Sequence, residues 1–434
     1  AGDFMTFKII TLGCKVNTYE SEFMLENLLH SGYIYNEEKP DIIIINTCSV
    51  TNMADKKSRK MVRRARRENK NAILVVAGCS AQNDSDEYEN MGIDILIGNR
   101  EKSKIVELIN NYKKTHKPYS FFTKNRDLDF ENMEVEKFTT HTRAFIKVQD
   151  GCNNFCSYCI IPYVRGNIRS KKFADVIKEA EVLVANGHKE IVLTGIHTGS
   201  YSDENKDLSD VISSIAKIPG LERIRISSIE ITELNDKFLD LLKVEPKIAN
   251  HLHIPLQSGS DTILKRMNRK YDTAYFKNKI EQIRNIRPDI SITTDCIVGH
   301  PYETEECFQE YVNFCKETAF SKLHVFPYSK RNGTASAVMP QIDEEEKRKR
   351  VHVLLELSEV LEHDYEEKFI GKELEVITEE YTDNYTTGFT SNYLKVYLKG
   401  ELKLNQVYKC VIDKLENNKV YGHILTCLNE KIGL

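Results

Sequence analysis

The chain has 434 residues, 41% hydrophobic and 29% charged, the balance of a globular protein of roughly two to four domains. No apolar run approaches the roughly 18 residues that span a bilayer, and Ala1-Gly2-Asp3-Phe4-Met5 shows neither the basic segment nor the apolar stretch of a secretion signal, so a cytoplasmic protein with no membrane partner is expected. A net charge of −4 leaves only local patches to attract nucleic acid, and eleven cysteines in so long a chain point to reduced thiols for metal or redox chemistry rather than a disulfide scaffold.

Residues 4–118 alternate short β-rich runs with helical patterns. The runs are Phe7–Leu12, Asp41–Ile45, Ala72–Ala77 and Ile93–Ile97; the helical patterns are Glu20–His30, closed by Gly32, and Ala54–Asn69. Such alternation predicts an N-terminal parallel α/β sheet domain. Residues 118–140, polar after Lys117-Pro118, read as a linker. Residues 141–330 repeat the grammar, with strands at Ala144–Val148, Glu190–Leu193, Arg223–Ser227, His251–Pro255, Ser291–Val298 and Leu323–Pro327. Helical patterns at Phe173–Asn186, Leu208–Lys217, Asp236–Leu242, Ala274–Ile286 and Glu305–Glu317 separate them. Six strand–helix repeats predict a central incomplete (βα)6 barrel. A connecting helix is expected over 343–369, with Val351, Leu354, Leu355, Leu361, Tyr365 and Phe369 on one stripe. Over 370–434, alternating runs at Lys372–Tyr381, Tyr393–Leu398, Gln406–Ile412 and Val420–Leu425, with Gly388, Gly400 and Asn417-Asn418 as turns, predict a small all-β barrel.

The sharpest motif is Gly151-Cys152-Asn153-Asn154-Phe155-Cys156-Ser157-Tyr158-Cys159. Three thiolates in eight residues, just past a strand, can wrap one soft metal centre, either an iron–sulfur cluster or a zinc completed by a distant His. Three ligands leave a coordination position open, as a catalytic site requires. Cys14, Cys48 and Cys79 are far apart in sequence but alike in setting, each directly after a predicted strand. The carboxyl ends of a parallel sheet share one edge, where α/β proteins place ligands. Each could be a small buried filler, but their shared position favours a second metal site. Cys296, Cys307, Cys315, Cys410 and Cys427 show no ligand spacing and read as packing residues.

The spacing in the middle block, with an aromatic residue before the third cysteine, resembles the radical S-adenosylmethionine (SAM) superfamily. Thr11-Leu12-Gly13-Cys14-Lys15-Val16-Asn17, Asn46-Thr47-Cys48-Ser49-Val50-Thr51, Ala77-Gly78-Cys79 and His253-Ile254-Pro255-Leu256-Gln257-Ser258-Gly259 resemble its methylthiotransferase branch, and the terminal barrel resembles a TRAM domain. The resemblance implies two [4Fe-4S] clusters, one on Cys152, Cys156 and Cys159 and one on Cys14, Cys48 and Cys79, together with SAM near Thr194, Gln257 and Asp295. Ordinary loop hydrogen bonding is the alternative role for those last three. The segment Asp295–Thr304 departs from the branch pattern, in which Phe is expected at His300 and Gly at Tyr302.

The implied reaction adds a methylthio group to carbon 2 of an adenine, whose hydrogen is too weakly acidic for a side-chain base, so a cofactor-derived radical is needed. One SAM would give the methyl group and another the radical. Gly13-Cys14-Lys15-Val16-Asn17 is most similar to members acting on threonylcarbamoyl-adenosine beside a tRNA anticodon. Siblings act on isopentenyl-adenosine or a ribosomal-protein aspartate, and a non-catalytic iron–sulfur RNA-binding protein is the remaining alternative. The implied partners are a tRNA anticodon stem-loop, an electron donor and a sulfur source.

Between Lys56 and Arg67 lie eight basic residues and no acidic one. Ala54, Met61, Val62 and Ala65 can face the sheet while Lys57, Lys60, Arg63, Arg64 and Arg67 fan outward, a single-signed strip suited to RNA phosphates. Arg165 and Arg169 are expected to meet a phosphate or the substrate's carboxylate, with a plain surface role as the alternative. The terminal block carries eight lysines, Lys431 among them, against nine acidic residues, so its own charge does not announce RNA binding. Tyr381, Tyr385, Phe389 and Tyr393 are its candidates for stacking on bases.

Overall fold

The Ile- and Val-rich runs at 42–47 and 73–78 are buried at every position, the condition of strands in a parallel sheet covered on both faces. The computed structural model describes residues 5–123, 129–139 and 142–427. Phe4, parts of the expected linker (124–128 and 140), residue 141, the side chain of Cys427 and the tail with Lys431 lie outside the described residues.

The first unit comprises β1 (Thr6–Thr11), α1 (Lys15–His30), β2 (Ile34–Tyr35), β3 (Ile42–Thr47), α2 (Asn52–Glu68), β4 (Ile73–Gly78), α3 (Cys79–Asn83), β5 (Ile95–Ile97), α4 (Ile105–Thr115) and β6 (Tyr119–Phe121). Its sheet runs β2-β1-β3-β4-β5-β6, every pair parallel. The order reverses between β1 and β3, the switch point at which such sheets open a ligand crevice. Helix α1 begins at Lys15 instead of Glu20. Its first turns bury Asn17, Glu20 and Ser21, and polar residues on the inward face hide a helical period written in apolar ones. The expected linker is partly structural. Tyr119–Phe121 extends the sheet past residue 118, and Met133, Val135 and Phe138 are core residues.

The second unit runs β7 (Arg143–Lys147), β8 (Gln149–Asp150), α5 (Ile161–Arg165), β9 (Arg169–Ser170), α6 (Phe173–Ala185), β10 (Glu190–Thr194), β11 (Ser202–Asp203), β12 (Lys206–Asp207), α7 (Leu208–Ile215), β13 (Arg223–Ile226), α8 (Asp236–Val244), β14 (His251–His253), α9 (Asp261–Arg266), α10 (Thr273–Ile286), β15 (Ser291–Val298), α11 (Glu305–Thr318) and β16 (Lys322–Pro327). The parallel ladders β7-β10-β13 and β14-β15-β16 are joined where Ile224 pairs with Ile248 and Ala249 N donates to Ile224 O at 2.7 Å. Six strands in sequence order form an incomplete barrel.

Helix α12 (Glu344–Glu367) follows. Its buried stripe is Lys347, Arg350, Leu354, Ser358, Leu361 and Tyr365; Leu355, expected on it, is exposed, because the true stripe passes through polar positions. The terminal unit is a closed barrel of β17 (Glu373–Thr382), β18 (Tyr385–Thr390), β19 (Lys395–Lys399), β20 (Val407–Glu416) and β21 (Lys419–Cys427), in the order β17-β18-β19-β21-β20. Gly388 is no turn. It pairs with Thr378 and Val396 inside β18, where a Cβ would lie 2.1 Å from Ile377 O. The turn is Asp383-Asn384, both left-handed.

Both outer units dock on the middle one. The terminal barrel covers the amino ends of the central strands: Arg143 pairs with Glu379 at 3.0 Å, Arg223 donates to Phe389 O at 2.9 Å, and Tyr393 stacks on His251 at 5.1 Å. The first unit bridges the carboxyl ends. On one flank, Glu20 of α1 binds Lys147 of β7 at 3.1 Å; on the other, Arg331, beyond β16, binds Asp55 at 2.6 Å, Asn52 at 2.6 Å and Ser49 at 2.7 Å.

Candidate active site

The loop carrying Cys152, Cys156 and Cys159 is pinned at both ends. Cys152 N donates to Gly166 O at 3.1 Å, and Ser157 N to Met267 O at 2.9 Å. Each sulfur receives a hydrogen bond. Asn154 N donates to Cys152 Sγ at 3.5 Å, Arg269 Nη1 to Cys156 Sγ at 3.4 Å, and Ile161 N to Cys159 Sγ at 3.4 Å. Arg269 is itself held by Glu230 at 2.6 Å. Burial lowers the His197 pKa, but hydrogen bonds to Cys152 and Glu233 raise it to about 10. Burial, with Cys156 and Cys152 adding to it, pushes the Cys159 thiol up to about 12; a metal reverses such a shift by holding the thiolate.

Cys14, Cys48 and Cys79 follow β1, β3 and β4, so the first two flank the sheet's switch point. Gly13 makes that approach possible. At φ +92°, a Cβ there would lie 2.7 Å from both Cβ and Sγ of Cys48. Asn17 Nδ2 laces the two turns together, donating to Leu12 O at 2.7 Å and Thr47 O at 3.0 Å. Burial raises the Cys48 thiol to about 11, with Cys79 and Cys14 contributing, so both other sulfurs lie within electrostatic reach of Cys48. Asn99 Nδ2 donates to Cys79 Sγ at 3.3 Å. Cys79 also packs against Ile160 and Val164, immediately beyond the central cysteine loop.

Among the described residues, in neither trio do all three sulfurs lie within 4.8 Å of one another. A single tetrahedral zinc wants thiolates about 3.8 Å apart, given a Zn–S bond of about 2.3 Å. All-sulfur donor sets lined with N–H donors suit an iron–sulfur cluster, whose ligand sulfurs stand further apart than those around one zinc.

Arg165 and Arg169 sit elsewhere than at an open substrate surface. Arg165 is buried and binds Glu20 at 3.0 Å, Asp150 at 3.3 Å and Asn17 Oδ1 at 3.0 Å; Arg169 binds Asp150 at 3.3 Å and donates to Arg165 O and Asn167 O. With Lys102 and Lys147, which also bind Glu20, they form a buried charge network at the junction of the two units. Burial raises the Glu20 pKa, but Arg165, Lys102 and Lys147 outweigh it and hold the carboxyl well below the usual range.

Gln257 and Asp295 lie side by side: Gln257 N donates to Asp295 O at 2.9 Å. The Asp295 carboxylate takes a 3.1 Å bond from His253. Thr194 ends β10, across the barrel, and is buried. His300 is also buried. Its Nε2 is 2.7 Å from Ser336 Oγ and 3.4 Å from Ser157 Oγ, so it braces the cysteine loop. Tyr302 has φ +71°, which accounts for the Gly expected there; Arg266 stacks on its ring at 3.9 Å.

Lys57, Lys60, Arg63, Arg64 and Arg67 are all exposed on α2 while Val62 and Ala65 are buried. Arg66 instead binds Asp94 at 2.8 Å. Of the stacking candidates, Phe389 and Tyr393 lie against each other at 4.7 Å under Arg143, engaged in docking. Tyr385 joins Tyr397 and Tyr421 in a cluster on which Lys395, Lys414 and Lys419 rest at 5.2–5.5 Å. The barrel is neutral in sum but carries a basic aromatic face.

Arg269, His197, Glu20, Arg331 and the Lys15 side chain escaped the sequence reading. Lys15 lies within the motif Gly13-Cys14-Lys15-Val16-Asn17, and the other four lie at no motif spacing.

Comparison with known proteins agrees with this geometry. The Radical SAM superfamily profile matches residues 146–315, and that of the Uncharacterized protein family UPF0004 matches residues 6–98. A threonylcarbamoyladenosine tRNA methylthiotransferase, MtaB, of Bacillus subtilis is 45% identical over 85% of this chain and 84% of its own length. A tRNA-2-methylthio-N(6)-dimethylallyladenosine synthase of Thermodesulfovibrio yellowstonii is 36% identical over 86% of this chain and 87% of its own. Among solved structures, the radical SAM methyltransferase TsrM of Kitasatospora setae shares the fold, with a TM-score of 0.55 at 14% identity over 77% of each chain. The protein is therefore a radical SAM enzyme, of the class that works with a [4Fe-4S] cluster and SAM. Within that class, the chain belongs to the methylthiotransferase family.

Proposed function

We propose that this enzyme adds a methylthio group to carbon 2 of threonylcarbamoyl-adenosine beside the anticodon of tRNA. One observation carries the reading. The sheet edge bearing Cys14, Cys48 and Cys79 is fastened over the mouth of the barrel on both flanks, with Cys79 packed on the helix that follows Cys159. The 45% identity to a relative named for that substrate supports the choice of base.

In this reading Cys152, Cys156 and Cys159 hold one [4Fe-4S] cluster, and Cys14, Cys48 and Cys79 hold a second. Bound there with SAM, the clusters supply the radical and the sulfur that an unactivated C–H bond requires. Arg269, His197 and the loop amides donate to the sulfurs and fix the central trio. Thr194, Gln257 and Asp295 line the carboxyl ends of the strands, where SAM would lie. The α2 cations follow an RNA backbone, and the Tyr385, Tyr397 and Tyr421 face gives bases a stacking surface. The enzyme works in the cytoplasm with an electron donor and a sulfur source.

Nucleoside mass spectrometry of a strain lacking the gene tests the substrate. Loss of the methylthio group from threonylcarbamoyl-adenosine supports the proposal, whereas loss from isopentenyl-adenosine or from a ribosomal-protein aspartate replaces it. Anaerobic reconstitution should give about eight irons per chain. Changing Cys14, Cys48 and Cys79 to Ala should leave about four, keep SAM cleavage and abolish thiolation of tRNA.

A further inference from the structure

The segment Arg331-Asn332-Gly333-Thr334-Ala335-Ser336, just beyond β16, is bonded to a cysteine-bearing loop at each end. At one end the buried Arg331 guanidinium donates to Ser49 Oγ at 2.7 Å and to Asn52 Oδ1 at 2.6 Å, and pairs with Asp55 at 2.6 Å. Ser49 directly follows Cys48. One turn past Asp55, Ser58 Oγ holds the Cys48 backbone, accepting from its N–H at 3.2 Å and donating to its carbonyl at 3.1 Å. At the other end Ser336 N donates to Ser157 O, and Ser336 Oγ to Ser157 Oγ, both at 2.7 Å. Ser157 lies between Cys156 and Cys159.

Between these ends the segment is a locked turn. Thr334 N and Oγ1 both donate to Arg331 O, at 3.2 and 2.6 Å, and Gly333 supplies φ +88° at the third position. Arg331, Thr334 and Ser336 are buried, whereas Asn332, Gly333 and Ala335 are exposed. Fastening two units does not require such a device, because apolar contact holds them without the desolvation cost of a buried ion pair. What a chain of directional hydrogen bonds adds is a fixed separation. Cys79, packed on Ile160 and Val164, is an apolar contact near the same loops, and such contact is non-directional.

We propose that Arg331–Ser336 is a positioning strut that sets the separation of the two cysteine trios, with Arg331 transmitting it to Cys48 through Ser49. The inference rests on the proposed function, in which each trio holds a cluster and radical, base and sulfur must meet in one reacting geometry.

The test uses the anaerobically reconstituted full chain. Thr334→Val removes the side-chain bond that locks the turn and keeps both anchors, Arg331→Gln removes one anchor, and Thr334→Ser keeps the hydroxyl. Each is measured for iron content, for the dipolar interaction between the two reduced clusters by electron paramagnetic resonance, and for methylthio groups made on a tRNA anticodon stem-loop per SAM cleaved. Thr334→Val and Arg331→Gln should keep about eight irons and the g values of each cluster. They should broaden the dipolar interaction and lower thiolation per SAM cleaved by up to about a hundredfold. Thr334→Ser should match the parent in all three. A dipolar interaction as narrow in both variants as in the parent, a loss of iron from both, or thiolation that falls only in step with SAM cleavage would overturn the strut. So would a Thr334→Ser enzyme as impaired as Thr334→Val. A parent holding about four irons would instead overturn the two-cluster reading, and the strut with it.

Discussion

At the scale of single residues, His300 shows how a departure from a family pattern can be absorbed. An imidazole with no exposure must remain neutral, and burial lowers its pKa from 6.5 to about 4. The unfolded chain therefore takes up a proton that the folded chain refuses, and stability falls as pH drops from 6.5 towards 4. His300→Phe should remove this part of the acid sensitivity, at most about 3 kcal/mol, seen as a flatter plot of melting temperature against pH. It also loses the bonds to Ser336 and Ser157, costing roughly 1 kcal/mol at neutral pH. The sequence marked His300 as unusual, but not its partner: Ser336 is 36 residues away, and no local pattern joins the two.

At the scale of elements, α2 divides its basic residues between two tasks. Six cations, Lys56, Lys57, Lys60, Arg63, Arg64 and Arg67, point outward, while Arg66 holds Asp94 and the carbonyls of Gly92 and Ala72. Changing Lys57, Lys60, Arg63 and Arg67 to Gln should weaken tRNA binding. Its salt dependence should flatten by about 0.7–0.9 in slope for each phosphate no longer neutralised, measured by titration at several salt concentrations. Arg66→Gln should lower stability and leave that slope alone. The outward fan was legible because Val62 and Ala65 supply a helical period. What stayed hidden were elements whose inward residues are polar or whose length is two or three residues, such as the first turns of α1, and β8 with β9. Gly388 was misplaced for a related reason: glycine's composition signal is the same whether it turns the chain or makes room for a neighbouring strand.

At the scale of the whole molecule, the three units were visible as changes of sequence rhythm, and the six ligand candidates as strand-end or loop cysteines. What fastens one unit to another was not, because it depends on charges that meet only after folding. Glu20, Asp150, Lys102, Lys147 and Arg165 come from separate stretches of chain yet form one buried network. Glu20→Gln leaves three buried cations underpaired and should cost about 3–5 kcal/mol, read from denaturant unfolding. Because the Glu20 pKa is depressed in the fold, its contribution is present above the ordinary carboxylate range and disappears as pH falls below it.

Tyr393 belongs to the unit most easily regarded as an RNA handle, yet it caps the amino ends of the central strands, stacked on His251 with Arg225 against its ring. Shortening the chain at the end of α12 would therefore do more than remove a face proposed to hold RNA. It would strip the cover from His251 and Arg225 and open to water the amino ends of the central strands, opposite the cysteine loop.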